Sequence, residues 1–313
     1  MMEAAGRLYL AHPVGLYKVA GFTLVAAWTV NLIVQTWTIG GVRLGALADP
    51  RAPEFIRLVG TIFSAGLAHG MVYAVFNGIA AAILMLMVAP GLDSRESDVP
   101  EAMRNAAPRL PAVVGATLLF FVAVAGLVSA GVACLGAVAA AGMIMGGGPG
   151  IISAVVHLLA GLGAVGVMIL FAGAVFYLSL RCALYQQAAV FAKRGPLQAL
   201  RYSLEITRDA AGVRFVDRYL PRGAIVLLSL VLLQGAVGTI GAVPSLAVGL
   251  LFRGVENPED VSVLNPTGMP IALLIPLELF SVLLSAAVLP YSIAVFTLFY
   301  FDVVARREIS SSS

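Results

Sequence analysis

The sequence predicts an all-α polytopic membrane protein: six transmembrane helices, with amphipathic helices lying at the cytoplasmic interface. Three observations predict it. Only 11% of the 313 residues are charged, where a soluble domain carries about a quarter, so the chain lacks the polar groups to cover a globule in water. Six apolar runs reach or exceed the ~20 residues that cross a bilayer. The 19 Lys and Arg divide unevenly between the two sides of such a six-span path, fifteen against four, as the positive-inside rule requires.

The spans follow in order. The first, residues 19–39, begins after Lys18 and is longer than the ~7–15-residue apolar core of a secretory signal. The second, 58–89, stops at Pro90-Gly91. The third, 111–141, is separated by "MGGGPG" at 145–150 from the fourth, 151–180. The fifth covers 221–251 and the sixth 270–301. Runs of about 30 residues make helices near 45 Å long, so these must tilt, kink or protrude beyond a ~30 Å hydrocarbon layer. Pro276 and Pro290 are the kink sites in span six.

One side of the path holds the N-terminus, the 91–110 loop, the 181–223 segment and the C-terminus; the other holds Arg43, Arg51, Arg57 and Arg253. Both termini are therefore expected in the cytoplasm, with the chain in a prokaryotic cytoplasmic membrane. The net charge of +3 follows from this bias, and nucleic acid is not expected as a partner. Cys134 and Cys182 form no CxxC, so neither a disulfide framework nor a zinc site is expected.

The densest charge lies in "KRGPLQALRYSLEITRD", residues 193–209. Plotted at helical spacing, Gln198, Arg201, Glu205, Arg208 and Asp209 share one arc of about 100°. Leu197, Ala199, Leu200, Tyr202, Leu204 and Ile206 fill the rest. This predicts a helix lying in the interface, opened by Pro196 and ended by Gly212. Glu205 is placed to meet Arg201 and Arg208 one turn away. A solvated face is a far better reading of these charges than a catalytic acid at Glu205.

The pattern recurs. Glu101-Ala102-Met103-Arg104-Asn105-Ala106 parallels Gln198-Ala199-Leu200-Arg201-Tyr202-Ser203, and each leads to Leu-Pro and a span. "AAGRLYLAHP" near the N-terminus is a fainter third copy. The chain reads as a threefold pseudo-repeat of surface helix, span, span, with units 1–92, 93–192 and 193–309 in a single membrane domain. Such repeats are parallel, related by an axis along the membrane normal.

Chemistry, if present, should sit on polar residues within the spans. Glu278 lies eight residues into span six. His69 and Asn77 are two turns apart on span two and share a face. His157 is on span four. None shows the i,i+4 ligand spacing of a helical metal site, so these residues read as polar glue between spans, and no metal or cofactor is expected. Asn31, Gln35 and Gln234 read likewise. Small residues crowd spans three and four. Ala125, Ser129, Ala133, Ala137 and Ala141 form one row, Gly126, Ala130 and Cys134 another, and Gly161, Gly163, Gly166 and Gly173 line the next span. Tight packing within the chain is the expectation. The glycine-rich turn lacks the Gly-Lys-Ser/Thr of a phosphate loop. The acidic cluster Asp93, Glu96, Asp98 and Glu101 lacks the EF-hand order.

Two stretches carry a resemblance. "GPLQALRYSLEITRD" before a span, and "FTLFYFDVVARRE" at the end of the last one, resemble the membrane domain associated with bacterial glycerophosphoryl diester phosphodiesterases and related six-span families. The matching positions are Ala199, Leu200, Arg201 and Ser203, then Tyr300, Asp302, Arg306, Arg307 and Glu308. In those enzymes hydrolysis belongs to a separate soluble barrel, for which this sequence has no room. The resemblance implies the membrane architecture without the activity. It also directs attention to Asp302 as a latch that would hold Arg201 or Arg208 of the surface helix against span six. The expected function is a non-catalytic membrane scaffold, or an accessory subunit partnered by lipids and by other membrane chains or itself. A small-molecule or lipid transporter with a cavity between the two-span units is the alternative, and a membrane anchor related to the phosphodiesterase membrane domains is a further one.

Overall fold

A computed structural model describes residues 2–11, 13–39, 53–92, 98–146, 150–208, 218–252 and 271–312, with only the backbone described at a few helix ends. Arg43, Arg51, Arg253, Asp93, Glu96, Asp209 and Gly212 lie outside the described residues.

The protein is all-α, and no strand occurs among the described residues. Among the described residues, six helices are long and apolar enough to cross a membrane. They are α2 (Pro13–Ile39), α3 (Pro53–Leu92), α5 (Leu110–Met145), α6 (Ile151–Cys182), α9 (Tyr219–Phe252) and α10 (Ile271–Ser312). Four short helices, α1 (Met2–Ala11), α4 (Val99–Ala106), α7 (Tyr185–Phe191) and α8 (Pro196–Ile206), complete the set. The long helices are apolar all round, as helices solvated by lipid must be. Their hydroxyls are satisfied locally: Thr117 donates to the Val113 carbonyl at 2.8 Å and Thr297 to that of Ile293 at 2.8 Å, the usual refuge for Ser and Thr inside a span. At 40 and 42 residues, α3 and α10 are about 60 Å long, and they carry Pro90, Pro276 and Pro290 within the helix.

The spans form a ring, each touching the next: α2 with α3, α3 with α5, α5 with α6, α6 with α9 over a thin seam, α9 with α10, and α10 back to α2. Packing is concentrated at the end that carries both termini. The main core joins Leu16 and Leu24 of α2, Leu84 and Met85 of α3, Val113 of α5 and Val295 of α10. A smaller cluster of Leu184, Ile206, Tyr219, Phe299, Tyr300 and Val303 adjoins it. Towards the opposite end the spans part. Ile144 and Ile151 are 82% and 84% exposed, which only a hydrocarbon solvent tolerates across so many large apolar side chains.

Two expectations change here. No helix was expected between span four and Pro196, yet α7 lies there, buried through Tyr185, Gln187, Ala188, Ala189 and Val190 and touching α3, α5, α8 and α10. Its run of small and apolar residues follows α6 so closely that hydropathy does not mark it as a separate helix; a two-residue turn at Ala183–Leu184 redirects it into the ring. The small residues of α5 and α6 were expected to pack within the chain, and only some do. Gly131 meets Phe171 and Gly163 meets Val138, while Gly126, Gly136, Gly161, Gly166 and Gly173 face open space. Both helices are exposed along most of their far halves, so most of this close-approach surface has no partner among the described residues.

The order short helix, long helix, long helix occurs three times. Ala5, Ala102 and Ala199 are each buried in their short helix, while Arg7, Arg104 and Arg201, two residues on, are exposed. A single methyl is small enough to let a surface helix lie close on its support, and an arginine half a turn away keeps the opposite side wet. Each short helix lies on the preceding pair: α4 on α3, α8 on α5 and α6, and α1 on α10.

Candidate functional site

Inside the spans a row of polar side chains runs between α2, α3 and α10. On α2, Trp28, Asn31 and Gln35 fall at three- and four-residue spacing and so share a face. The Trp28 indole N–H donates to the Glu278 carboxylate of α10 at 3.0 Å. Gln35 bonds His69 Nδ1 of α3 at 3.1 Å. The His69 and Tyr73 rings lie 4.7 Å apart, and Asn77 follows one turn beyond Tyr73. Such bonds hold helices together where hydrocarbon offers no hydrophobic drive. Two acceptors in the row are left over: Asn31 Oδ1 and Asn77 Oδ1 are buried with no hydrogen-bond partner among the described residues. A buried polar atom left unpaired costs about 1–3 kcal/mol.

The structure thus brings Glu278 and His69 into one row with Asn77 on the same face of α3, and leaves His157 apart. His157 bonds within its own helix, to the Ser153 carbonyl at 2.7 Å. No group of three His, Cys, Asp or Glu among the described residues could hold a metal ion. Trp28 and Tyr73 were not singled out from sequence. Their signal was available: each lies on the face that carries Asn31 and Gln35, or His69 and Asn77.

A second polar set locks the end that carries the termini. Asp302 does not form the expected latch to the surface helix. Its carboxylate takes Arg222 at 2.7 Å and Arg306 at 3.0 Å, so it joins α9 to α10 instead of seizing Arg201 or Arg208 of α8. Arg222 stands one turn into α9, level with Asp302 near the end of α10, whereas Arg201 on the outward face of α8 and Arg208 just past the end of α8 are exposed. Glu205 makes no ion pair with either arginine among the described residues; all three side chains are exposed, where solvation competes with pairing.

The face that does hold α8 was not foreseen. Ser203 and Thr207 are fully buried. Their hydroxyls donate to the Arg181 carbonyl at 3.1 Å each, and the Leu184 N–H donates to Ser203 Oγ at 3.3 Å. Arg181 returns the contact, donating to the carbonyls of Thr207 at 2.7 Å and Leu204 at 2.9 Å, and so caps the C-terminal turn of α8. Tyr219 adds a bond from its hydroxyl to the Leu180 carbonyl at 2.8 Å. Comparison leaves the chain by itself: no family model, curated protein or solved structure matches it. Chemically, this locked end is a rigid base, and the polar row is a set of interhelical bonds with two unused acceptors.

Proposed function

We propose that this is a non-catalytic membrane scaffold, an accessory subunit that packs against other membrane helices, in a prokaryotic cytoplasmic membrane with both termini in the cytoplasm. The observation that carries the reading is the far half of the α5–α6 hairpin. It presents Gly126, Ala130 and Cys134 in one exposed row, with open space at Gly126, Gly161 and Gly166, and the open face continues along α6 to Gly173. Glycine lowers helix propensity (by about 1 kcal/mol against Ala), and in spans its characteristic return is close helix approach. The locked base supports the reading from the other side, since it holds the hairpin firmly while leaving this surface free. The resemblance to phosphodiesterase membrane domains, in which chemistry resides elsewhere, agrees with it.

A second reading rests on Asn31 and Asn77: two unpaired acceptors beside Glu278 and His69 suit a polar group in transit, in a transporter or lipid-handling protein. One experiment separates the two. The chain is extracted with its native lipid in polymer nanodiscs and its mass is measured, beside a Gly126→Phe/Ala130→Phe variant. The scaffold reading expects an assembly larger than one chain, lost in the variant; oxidation of Cys134 to a disulfide-linked dimer would identify the partner as a second copy. A single chain with lipid alone, in both proteins, sinks the scaffold reading and leaves the transport reading standing.

A further inference from the structure

At the end that carries both termini, two junctions meet. One follows α4, where a single 3-10 turn, Ala107–Arg109, leads into α5. The other is the link between α7 and α8. Between them lies a cavity of about 500 Å³, walled by Arg104, Asn105, Arg109, Lys193, Arg194 and small or apolar neighbours. Four cations face this space and no acidic residue lines it. None of the four is in an ion pair among the described residues. Three other arginines at this end are engaged differently: Arg222 and Arg306 share Asp302, and Arg181 is spent on carbonyls.

The wall is held in place. Arg109 donates to the Val190 carbonyl at 2.9 Å, which pins its guanidinium beside the end of α7. The Arg194 guanidinium lies 5.3 Å from the centre of the Tyr202 ring, within cation–π range. Lys193 adopts a left-handed backbone, φ 52°, a conformation that a non-glycine residue rarely takes. Pro196 then lies against α5 where only glycine leaves room, since a Cβ on Gly115 would fall 2.8 Å from Pro196 Cγ. The loop that presents Lys193 and Arg194 is thereby fastened opposite Arg109.

We propose that this cavity binds a phosphate-bearing anion. Four converging cations without a counter-charge repel one another, and an anion that met them would relieve that repulsion. Arginine forks match phosphate oxygens two at a time, and lysine adds a point charge. The volume is that of a small-molecule pocket, which typically spans about 300–1,000 Å³. Its place at the start of α5 sets it at the bilayer boundary, where basic pockets between spans take lipid head groups. A soluble phosphate ester offers the same oxygens. The inference does not depend on whether the chain assembles with partners.

Native mass spectrometry of the full chain tests it, with phosphatidylglycerol and phosphatidylcholine supplied in turn. Arg104→Gln/Lys193→Gln removes two cavity charges; Arg7→Gln/Arg201→Gln removes two exposed charges from the other short helices. A basic residue near the surface contributes about 1 kcal/mol, a factor of about five. Retention of phosphatidylglycerol should therefore fall about tenfold or more in the first variant and less than about twofold in the second. Equal loss in the two variants, or no loss in the first, overturns the proposal. If the first variant melts early, Arg104→Gln alone, on the exposed face of α4, carries the comparison. Competition by inorganic phosphate and glycerol 3-phosphate assigns the source: displacement of lipid from the wild-type chain identifies a soluble phosphate as the ligand, and persistence of the lipid identifies the head group.

Discussion

Ser203 shows how a residue that looks solvated becomes structural. It sits between Arg201 and Glu205 in the most charged stretch of the chain, yet it is fully buried and bonds both the Arg181 carbonyl and the Leu184 N–H. Ser203→Ala should cost about 1–3 kcal/mol, since it leaves the buried Leu184 N–H without its acceptor while the Arg181 carbonyl keeps Thr207, and should lower the thermal midpoint in detergent. Arg201→Gln, two residues away and exposed, should fall within about 0.5 kcal/mol of wild type. Similar melts for the two would deny Ser203 its role. The wet side of α8 was legible in the sequence because charges declare themselves. The dry side was not, since its centre is polar: Ser203 and Thr207 lie where an amphipathic pattern expects leucine. Asp302 was legible as a latch, but the choice of Arg222 over Arg201 or Arg208 depends on which helix ends are level, and no linear pattern carries that.

At the scale of elements, the six long helices were legible to within a few residues at most ends, because twenty or more apolar residues in a row have few other uses. The exceptions have physical causes. Helix α3 continues through Pro90 to Leu92, since a proline in the last turn forfeits few hydrogen bonds. Helix α7 was hidden by its continuity with α6 in hydropathy. The loop from α7 to α8 is the element most open to a direct test. Gly115→Val should drive Pro196 off α5, lifting the Lys193–Gly195 link and loosening α8. Limited trypsin digestion would then cut after Lys193 or Arg194 several-fold faster than in wild type, with α8 freed from its hydroxyl bonds. Unchanged cleavage would mean that α8 is held without that contact.

At the scale of the molecule, the charge asymmetry, the six spans and the threefold order of elements could all be read from the chain, because each is a statement about composition along a line. That packing would gather at one end could not be read, for the far halves of α5 and α6 are as apolar as the near ones. Orientation in the membrane makes its own prediction. A cysteine introduced at Ser311 and another at Gly148 lie on opposite sides of the six-span path. Impermeant maleimide applied to intact cells should label the one at 148 and spare the one at 311. The reverse pattern, or labelling of both, would undo the cytoplasmic assignment of the termini.

The contact between α1 and α10 sets an order on biosynthesis. Helix α1 finds its main seat on α10, which is made after the other described helices, and Phe299, Tyr300, Asp302 and Val303, which seal the base, lie in the last third of α10. Inserted hairpins can form one by one as they are made, but the circle cannot shut before α10 is made. A product stopped short of these residues would carry every membrane-spanning segment and still lack its clasp, and quality-control proteases would meet a loose collection of helices in place of a finished fold.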